Sequence, residues 1–260
     1  MIDGAGAFAE AGDIPSQLAA ARARVAAKAG LNAKYIAYFQ SFTNTYGNVD
    51  RLRRLFQAAI EPEDVVILSI ATRPDCLGPE VLELLAELNR KKPVWVELGL
   101  QTIYPESAAY IRRGYDLPVF DAAVKNLKAM GVTVIVHQIL GLPGETPEMM
   151  AAASRYIGDS GADGIKLHLL HVLRNTDLAA EWQAGRVRTL ELEEYISILE
   201  LCLRNLPPET VIHRLTGDGA KRDLLAPLWS GDKKRVLNAI HQAFRRDDLT
   251  QGSAWNAAFP

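Results

Sequence analysis

Two kinds of residue in this sequence could do chemistry. One is glycine, which lets a backbone come close to a ligand. The other is the set of ionisable, amide and hydroxyl side chains at the ends of apolar runs. The clearest glycine run is Ile139-Leu140-Gly141-Leu142-Pro143-Gly144-Glu145. Gly141 and Gly144 permit a sharp turn and leave room for a ligand against the main chain, and Pro143 stiffens it. Glu145 and Thr146 then open a helix whose free N–H groups favour an anionic group. A tight strand-to-helix connection with no ligand would use the same residues, and spacing alone does not separate the two readings.

The polar side chains follow the same logic. After one apolar run come Gln40, Thr43, Asn44 and Thr45; after the next, Thr72, Arg73 and Asp75; a third carries Glu97 and ends in Gln101 and Thr102. A fourth holds His137 and Gln138 ahead of the glycine turn, and a fifth holds Lys166, His168 and His171. Taken singly, Thr43, Asn44 and Asp75 read as cap and turn residues, while Arg73 reads equally as a loop charge or a functional one. A carboxylate inside a strand, such as Glu97, is costly unless partnered, so a salt bridge to a nearby cation is a full rival to a binding role. His168 and His171 fit a satisfied core equally well. The functional reading rests on all five runs delivering polar groups at the same end.

The elements that would position them alternate. Residues 15–30 read as a helix, 35–40 as a strand, 49–60 as a helix and 65–70 as a β-branched strand covered on both faces. A helix begins at Gly78-Pro79-Glu80. Residues 94–99 form a strand, 105–113 and 116–130 helices, the latter closed by Gly131. Strands at 132–140 and 164–170 flank a helix at 146–160. A helix over 190–203, a short strand at 210–214 and two further helical stretches complete the pattern, and 247–260 reads as a loop or draped tail. Parallel strands joined by helices with polar groups at their C-terminal ends favour a full or partial barrel.

Bulk composition narrows the classes. The chain has 260 residues, 48% apolar and 23% charged, which rules out global disorder. A net charge of −2 gives no general attraction to nucleic acid or membrane. No apolar run is long enough to span a bilayer, and the N-terminus does not read as a secretory signal. Cys76 and Cys202 are far apart, so neither a disulfide framework nor a zinc module is legible, and a reducing, cytoplasmic setting is the simplest reading. The basic stretches Lys233-Lys234-Arg235 and Arg245-Arg246 read as solvated helix faces or as phosphate contacts.

Taken in order, several stretches resemble the radical SAM superfamily, above all its YhcC-type branch, which is similar in turn to the radical SAM domain of the elongator catalytic subunit. They are Tyr35 to Gln40 with Phe42 to Tyr46, Ser69 to Asp75, Glu97 to Thr102, Arg113-Gly114, His137 to Thr146, Lys166 to Leu173 and His213 to Asp218. The resemblance implies an α/β fold, a partial (β/α) parallel barrel with a small C-terminal α/β extension. It also implies a [4Fe-4S] cluster on a C-x-x-x-C-x-x-C loop, S-adenosylmethionine chelated to that cluster, and one-electron cleavage giving a 5′-deoxyadenosyl radical. A reductant such as flavodoxin or ferredoxin is implied as partner.

Carried over by position, Thr43-Asn44-Thr45 falls where the family holds the methionine amino group. Gln101 and Arg113 match positions holding ribose and carboxylate, and His137 one near the ribose. Gly141 and Gly144 would pass the adenine end. Thr72, Arg73, Glu97 and Glu145 complete the expected cofactor-binding set, and Lys166 and His168 are the candidate catalytic pair. Ala71 departs from the pattern, because relatives often carry Glu there. The three cluster cysteines and the strand before them are absent, so no metal ligand is expected in this chain. The expectation is a truncated barrel core over 1–175, its first strand missing, and an associated extension over 176–260. The expected function is that of a radical SAM protein of unidentified substrate, with RNA left open and no membrane partner. The alternatives are a non-catalytic SAM- or ligand-binding barrel and an aldolase-type barrel enzyme using Lys166 or the histidines.

Overall fold

In the computed structural model, residues 13–28, 30, 32–40, 43–217, 219 and 221–255 are described. The N-terminal stretch through residue 12, Ser41 and Phe42 of the first loop, Asp218 and the last five residues lie outside them. Among the described residues six strands make one sheet in the order β1-β2-β3-β4-β5-β7. They are β1 (Tyr35–Phe39), β2 (Val65–Thr72), β3 (Val94–Gln101), β4 (Thr133–Leu140), β5 (Gly164–Leu169) and β7 (Val211–Arg214). The chain divides into two compact units: 1–99 with 118–135, and 100–117 with 136–260.

In the first unit, β1, β2 and β3 pair in parallel. Helix α2 (Val49–Ile60) starts where the Asn48 side chain accepts from Arg51 N at 3.0 Å. It turns Leu52, Phe56, Ala59 and Ile60 inward, the spacing of one helical face. Helix α3 (Pro79–Asn89) starts with proline as its sequence predicts and buries Val81, Leu84, Leu85 and Leu88. Complete burial of Phe56, Leu68, Ile70 and Leu84 stabilises the unit by about 1.5–3 kcal/mol per side chain. Helix α5 (Leu117–Ala129) adds Phe120, Val124 and Leu127. Helix α1 (Ile14–Val25) is capped by Asp13 but buries no residue, and it stops short of the predicted 30. With no buried face to extend along, nothing offsets the entropy of a further turn.

In the second unit, β5 pairs in parallel with β7. Helix α4 (Pro105–Tyr110) ends three residues before its predicted limit. Helices α6 (Pro147–Asp159) and α8 (Leu192–Arg204) pack together, burying Met150, Ile157, Tyr195, Leu199 and Cys202. Two strands escape the sequence pattern: β6 (Val172–Leu173) and β8 (Leu224–Ala226) pair antiparallel over a small cluster of Val172, Ala179 and Ala226, the second residue lying on α7 (Asp177–Gln183). Where the sequence pattern suggests two helical stretches after 214, the described residues hold β8, a short 3-10 turn and one full helix, α9 (Lys233–Arg246). The tail is draped: Gln251 Nε2 donates to Pro207 O at 2.7 Å and Thr210 O at 2.8 Å, and Arg155 lies over the Trp255 ring at 5.2 Å. Among the described residues no helix is long and apolar enough to cross a membrane.

Candidate functional site

In the first unit the sheet face carrying polar side chains is fixed by register. Tyr38 lies opposite Ser69, and Ala71 opposite Glu97. Strand alternation puts Tyr38, Ser69 and Glu97 on one side. Glu97 is only 3% exposed, yet its carboxylate accepts from Tyr38 Oη and from Ser69 Oγ, each at 2.8 Å. Two hydroxyl donors thus supply part of the solvation that a buried carboxylate requires. Sequence reading did not single out Tyr38 and Ser69 as partners of Glu97; the strand register brings them there.

The loop after β1 is held by its own expected ligand residues. Asn44 donates from Nδ2 to Ala71 O at 2.8 Å and to Phe39 O at 3.3 Å. Thr45 Oγ1 donates to Cys76 O at 2.8 Å, so in the 2.5 Å contact between Thr45 and Thr72 it is Thr72 that donates. Both threonines are buried. Arg73 grips Asp75 through Nε at 2.9 Å and Nη2 at 2.7 Å, and this guanidinium holds the Asp75 carboxyl below the usual carboxylate range. Asn44, Thr45 and Thr72 build the loop, while Thr43 stands half-buried and Tyr46 is 80% exposed at its tip.

In the second unit the end of β3 is strained and clamped. Gln101 has φ +69°, in the left-handed region that costs an L-residue about 1–2 kcal/mol. The carbonyls on either side of it are held by one buried side chain. Arg113 donates from Nη1 to Leu100 O at 3.3 Å and Thr102 O at 2.6 Å, and from Nε to Tyr115 O at 3.1 Å, with the Tyr115 ring 4.7 Å away. A planar fork satisfies several carbonyls at once.

The glycine turn joins the same place. Gly141 and Gly144 have φ +88° and +86°. They differ in surroundings: a Cβ on Gly141 would meet Leu190 Cδ1 at 2.9 Å, whereas one on Gly144 would meet nothing within 4 Å. Thr102 Oγ1 donates to Glu145 Oε1 at 2.5 Å. Gln101 and Gly144, each one residue earlier, are thereby brought together as two left-handed positions. Burial pushes the Glu145 carboxyl up, against hydrogen bonds from Thr102 and Ser107 that pull it down.

Histidines line the strands beyond. The rings of His137 and His168 lie 4.9 Å apart, and Lys166, buried, sits two residues from His168 on the same side of β5. Gln138 points the other way and is used in the core, donating to Met150 O at 2.7 Å and accepting from Ser154 Oγ at 2.7 Å. Gly219 N donates to His171 Nδ1 at 3.3 Å, which places the proton of a neutral ring on Nε2. A Cβ on Gly217 or Gly219 would strike that ring.

A four-iron cluster does not fit the thiols of this sequence. Cys202 is wholly buried in α8, and burial pushes its thiol up to about 12. Cys76 is half-buried, and burial with the Asp75 carboxylate pushes its thiol up as well. Among the described residues no group of three His, Cys, Asp or Glu side chains is placed to hold a metal ion. Iron–sulfur clusters need several converging thiolates.

Comparisons with known proteins give one answer. The family described as the Radical SAM superfamily matches residues 13–157, and the one described as the Radical_SAM C-terminal domain matches 162–246. Uncharacterized protein YtqA of Bacillus subtilis is 41% identical over 219 residues, 84% of this chain and 68% of the relative. Protein YhcC of Escherichia coli is 36% identical over 222 residues, 85% of this chain and 72% of the relative. A tRNA uridine(34) acetyltransferase of Methanocaldococcus jannaschii is 30% identical over 156 residues, 59% of this chain and 28% of the relative. Among solved structures, the Methanocaldococcus infernus Elp3 with an N-terminal deletion shares the fold at a TM-score of 0.79, with 20% identity, over 95% of this chain and 65% of that one.

Proposed function

The chain belongs to the radical SAM superfamily, and from that premise we propose that it supplies cofactor-binding and substrate-facing parts of a radical enzyme acting on RNA. The observation that carries the cofactor half is the paired left-handed backbone at Gln101 and Gly144, joined by the Thr102–Glu145 bond. Strain such as that at Gln101 persists only where surrounding structure enforces it, and it clusters at ligand sites. Open space over Gly144 leaves the main chain accessible there. In this reading Gln101, Gly144 and His137 meet S-adenosylmethionine in the second unit. Arg113, Asn44, Thr45 and Thr72 act one step back, because the hydrogen bonds described above tie them to backbone or neighbouring loop residues.

S-Adenosylmethionine held against Gln101, Gly144 and His137 would supply radical chemistry toward a hydrogen of the substrate. The protein's task is to orient the reacting groups and exclude water from them. Lys166 and His168, two residues apart on the same side of β5, are the residues we assign to the substrate side, where an imidazole can accept or donate a proton. The reading requires three cluster thiolates that this sequence does not contain.

Support for RNA comes from the relatives whose names specify tRNA uridine(34). The chain spans less than half the length of each, so their activity is not carried over. The test is anaerobic turnover of a chain extended with a C-x-x-x-C-x-x-C loop, mixed with deuterium-labelled transfer RNA. Deuterium in the released 5′-deoxyadenosine is the expected result. Release that ignores RNA and carries no deuterium would remove RNA as substrate.

A further inference from the structure

Helix α9 concentrates positive charge in a way that helix stability does not explain. It carries Lys233, Lys234, Arg235, Arg245 and Arg246, and neither Asp nor Glu. Taking those five charges away from the net −2 would leave the rest of the chain at −7. Arg245 and Arg246 have an ordinary reason for their place. They sit in the last turn, at the negative end of the helix dipole, and Arg246 pairs with Asp247 at 2.6 Å. Lys233, Lys234 and Arg235 are placed the other way, in the first turn, where each cation is unfavourable by about 0.3–1 kcal/mol. The Asp232 cap, accepting from Arg235 N at 3.1 Å, offsets part of that.

The exposed side of α9 is ordered. Lys234, His241 and Arg245 recur at seven- and four-residue spacing, so they share one stripe, and all three are exposed. At 1.5 Å per residue the stripe is about 16 Å long. Val236, Ile240 and Ala243 face inward, so the apolar side of the helix is spent on the protein. A membrane-surface helix would need that side for lipid. Beside the stripe runs an open groove of about 540 Å³, lined by Lys234, Arg235, Asn238 and Gln242 together with Asp232 at the start of α9 and Glu193 of α8. Two cations there suit phosphates. The amides of Asn238 and Gln242, one turn apart, both donate and accept, and a carboxylate such as Glu193 accepts from a ribose 2′-hydroxyl.

From this arrangement we infer that the α9 groove docks the sugar–phosphate backbone of RNA, an inference that rests on the RNA reading above. Lys234 and Arg235 hold phosphates, Asn238 and Gln242 address ribose, and Arg245 extends the contact along the helix. Such contacts set register rather than sequence choice.

The test uses the whole chain and unfractionated transfer RNA, with a DNA duplex of similar length as comparison, across a salt series. The variant K234E/R235E reverses two charges at the groove. The variant R51E/R54E makes the same charge change on exposed positions of α2. Far-UV circular dichroism checks that both fold. The expected result is at least a tenfold loss of RNA affinity and a salt slope shallower by about 1–2 for the α9 variant, with the α2 variant close to wild type. Equal loss in both variants, or none in either, overturns the docking groove while RNA remains the substrate. Duplex DNA bound as tightly as RNA overturns it as an RNA site. Failure of the unaltered chain to bind transfer RNA at low salt would remove the RNA reading and the groove with it.

Discussion

Thr102 Oγ1 donates to Glu145 Oε1 at 2.5 Å, and through that bond the end of β3 and the Gly-Leu-Pro-Gly-Glu turn behave as one piece. The bond has a pH signature. Burial raises the Glu145 carboxyl above its unfolded-chain value. The folded state therefore binds the proton more tightly than the unfolded state, and Glu145 contributes stability that is fully present below about pH 4.3 and is lost as pH rises through the raised value. Glu145→Gln keeps an acceptor for Thr102 without the charge. Its melting temperature, compared with wild type from pH 4 to pH 8, should gain on wild type as pH increases. A gap that widens toward acid instead would contradict the assignment.

Removing the donor rather than the acceptor should cost more. Thr102→Val leaves a half-buried carboxylate short of a partner, and a loss of about 1–3 kcal/mol at pH 7 is expected in urea denaturation. At pH 4, where the carboxyl is protonated and can donate elsewhere, the loss should shrink.

Gln101 offers a separation of stability from binding. Gln101→Gly removes the left-handed strain at φ +69° and should stabilise the chain by up to about 1 kcal/mol. The same change deletes the side chain assigned to S-adenosylmethionine, so cofactor affinity in the cluster-bearing protein should fall. Arg113→Lys should do the reverse first: a point charge replaces the fork on Leu100 O, Thr102 O and Tyr115 O, and stability drops by about 2–4 kcal/mol. If Gln101→Gly leaves S-adenosylmethionine affinity untouched, Gln101 is only a structural bend.

The cradle around His171 predicts a rescue. Gly217→Ala places a methyl group against the imidazole, with an expected cost of about 1–3 kcal/mol. In the double variant with His171→Ala the clash has no partner, so the two effects should be strongly non-additive. Additive losses would mean that the loop at 217 is constrained by something else.

The two thiols should report the fold directly. Cys202 is wholly buried with its thiol raised to about 12, so at pH 8 it should stay silent to a thiol reagent until denaturant is added. Cys76, half-buried, should react slowly under native conditions. Two fast-reacting thiols in the folded protein would contradict this packing.

Much of the scaffold was legible because buried strands write themselves as apolar runs. Val65 to Ile70 and Val134 to Val136 are such runs, and they lie in β2 and β4. Helix α2 was legible from Leu52, Phe56 and Ile60 on one face. Strands β6 and β8 were not, since two or three residues hold no period to read. The site was half legible. Glu97 stood out as a carboxylate inside a strand, but its partners Tyr38 and Ser69 come from other strands, and only register reveals them. Arg113 was recognisable as a position of interest, while its partners are backbone carbonyls that no side-chain pattern encodes. The same holds for Asn44, whose amide clips the β1 and β2 ends together.

The chain is proposed to work with a four-iron cluster whose thiolates are neither Cys76 nor Cys202. Anaerobic reconstitution with iron and sulfide tests it most directly, carried out on this chain and on one extended with a C-x-x-x-C-x-x-C loop. The account predicts cluster absorbance and 5′-deoxyadenosine from S-adenosylmethionine in the extended chain, and neither in this one. A stable four-iron cluster on this chain alone, or an extended chain that forms no cluster, would contradict it.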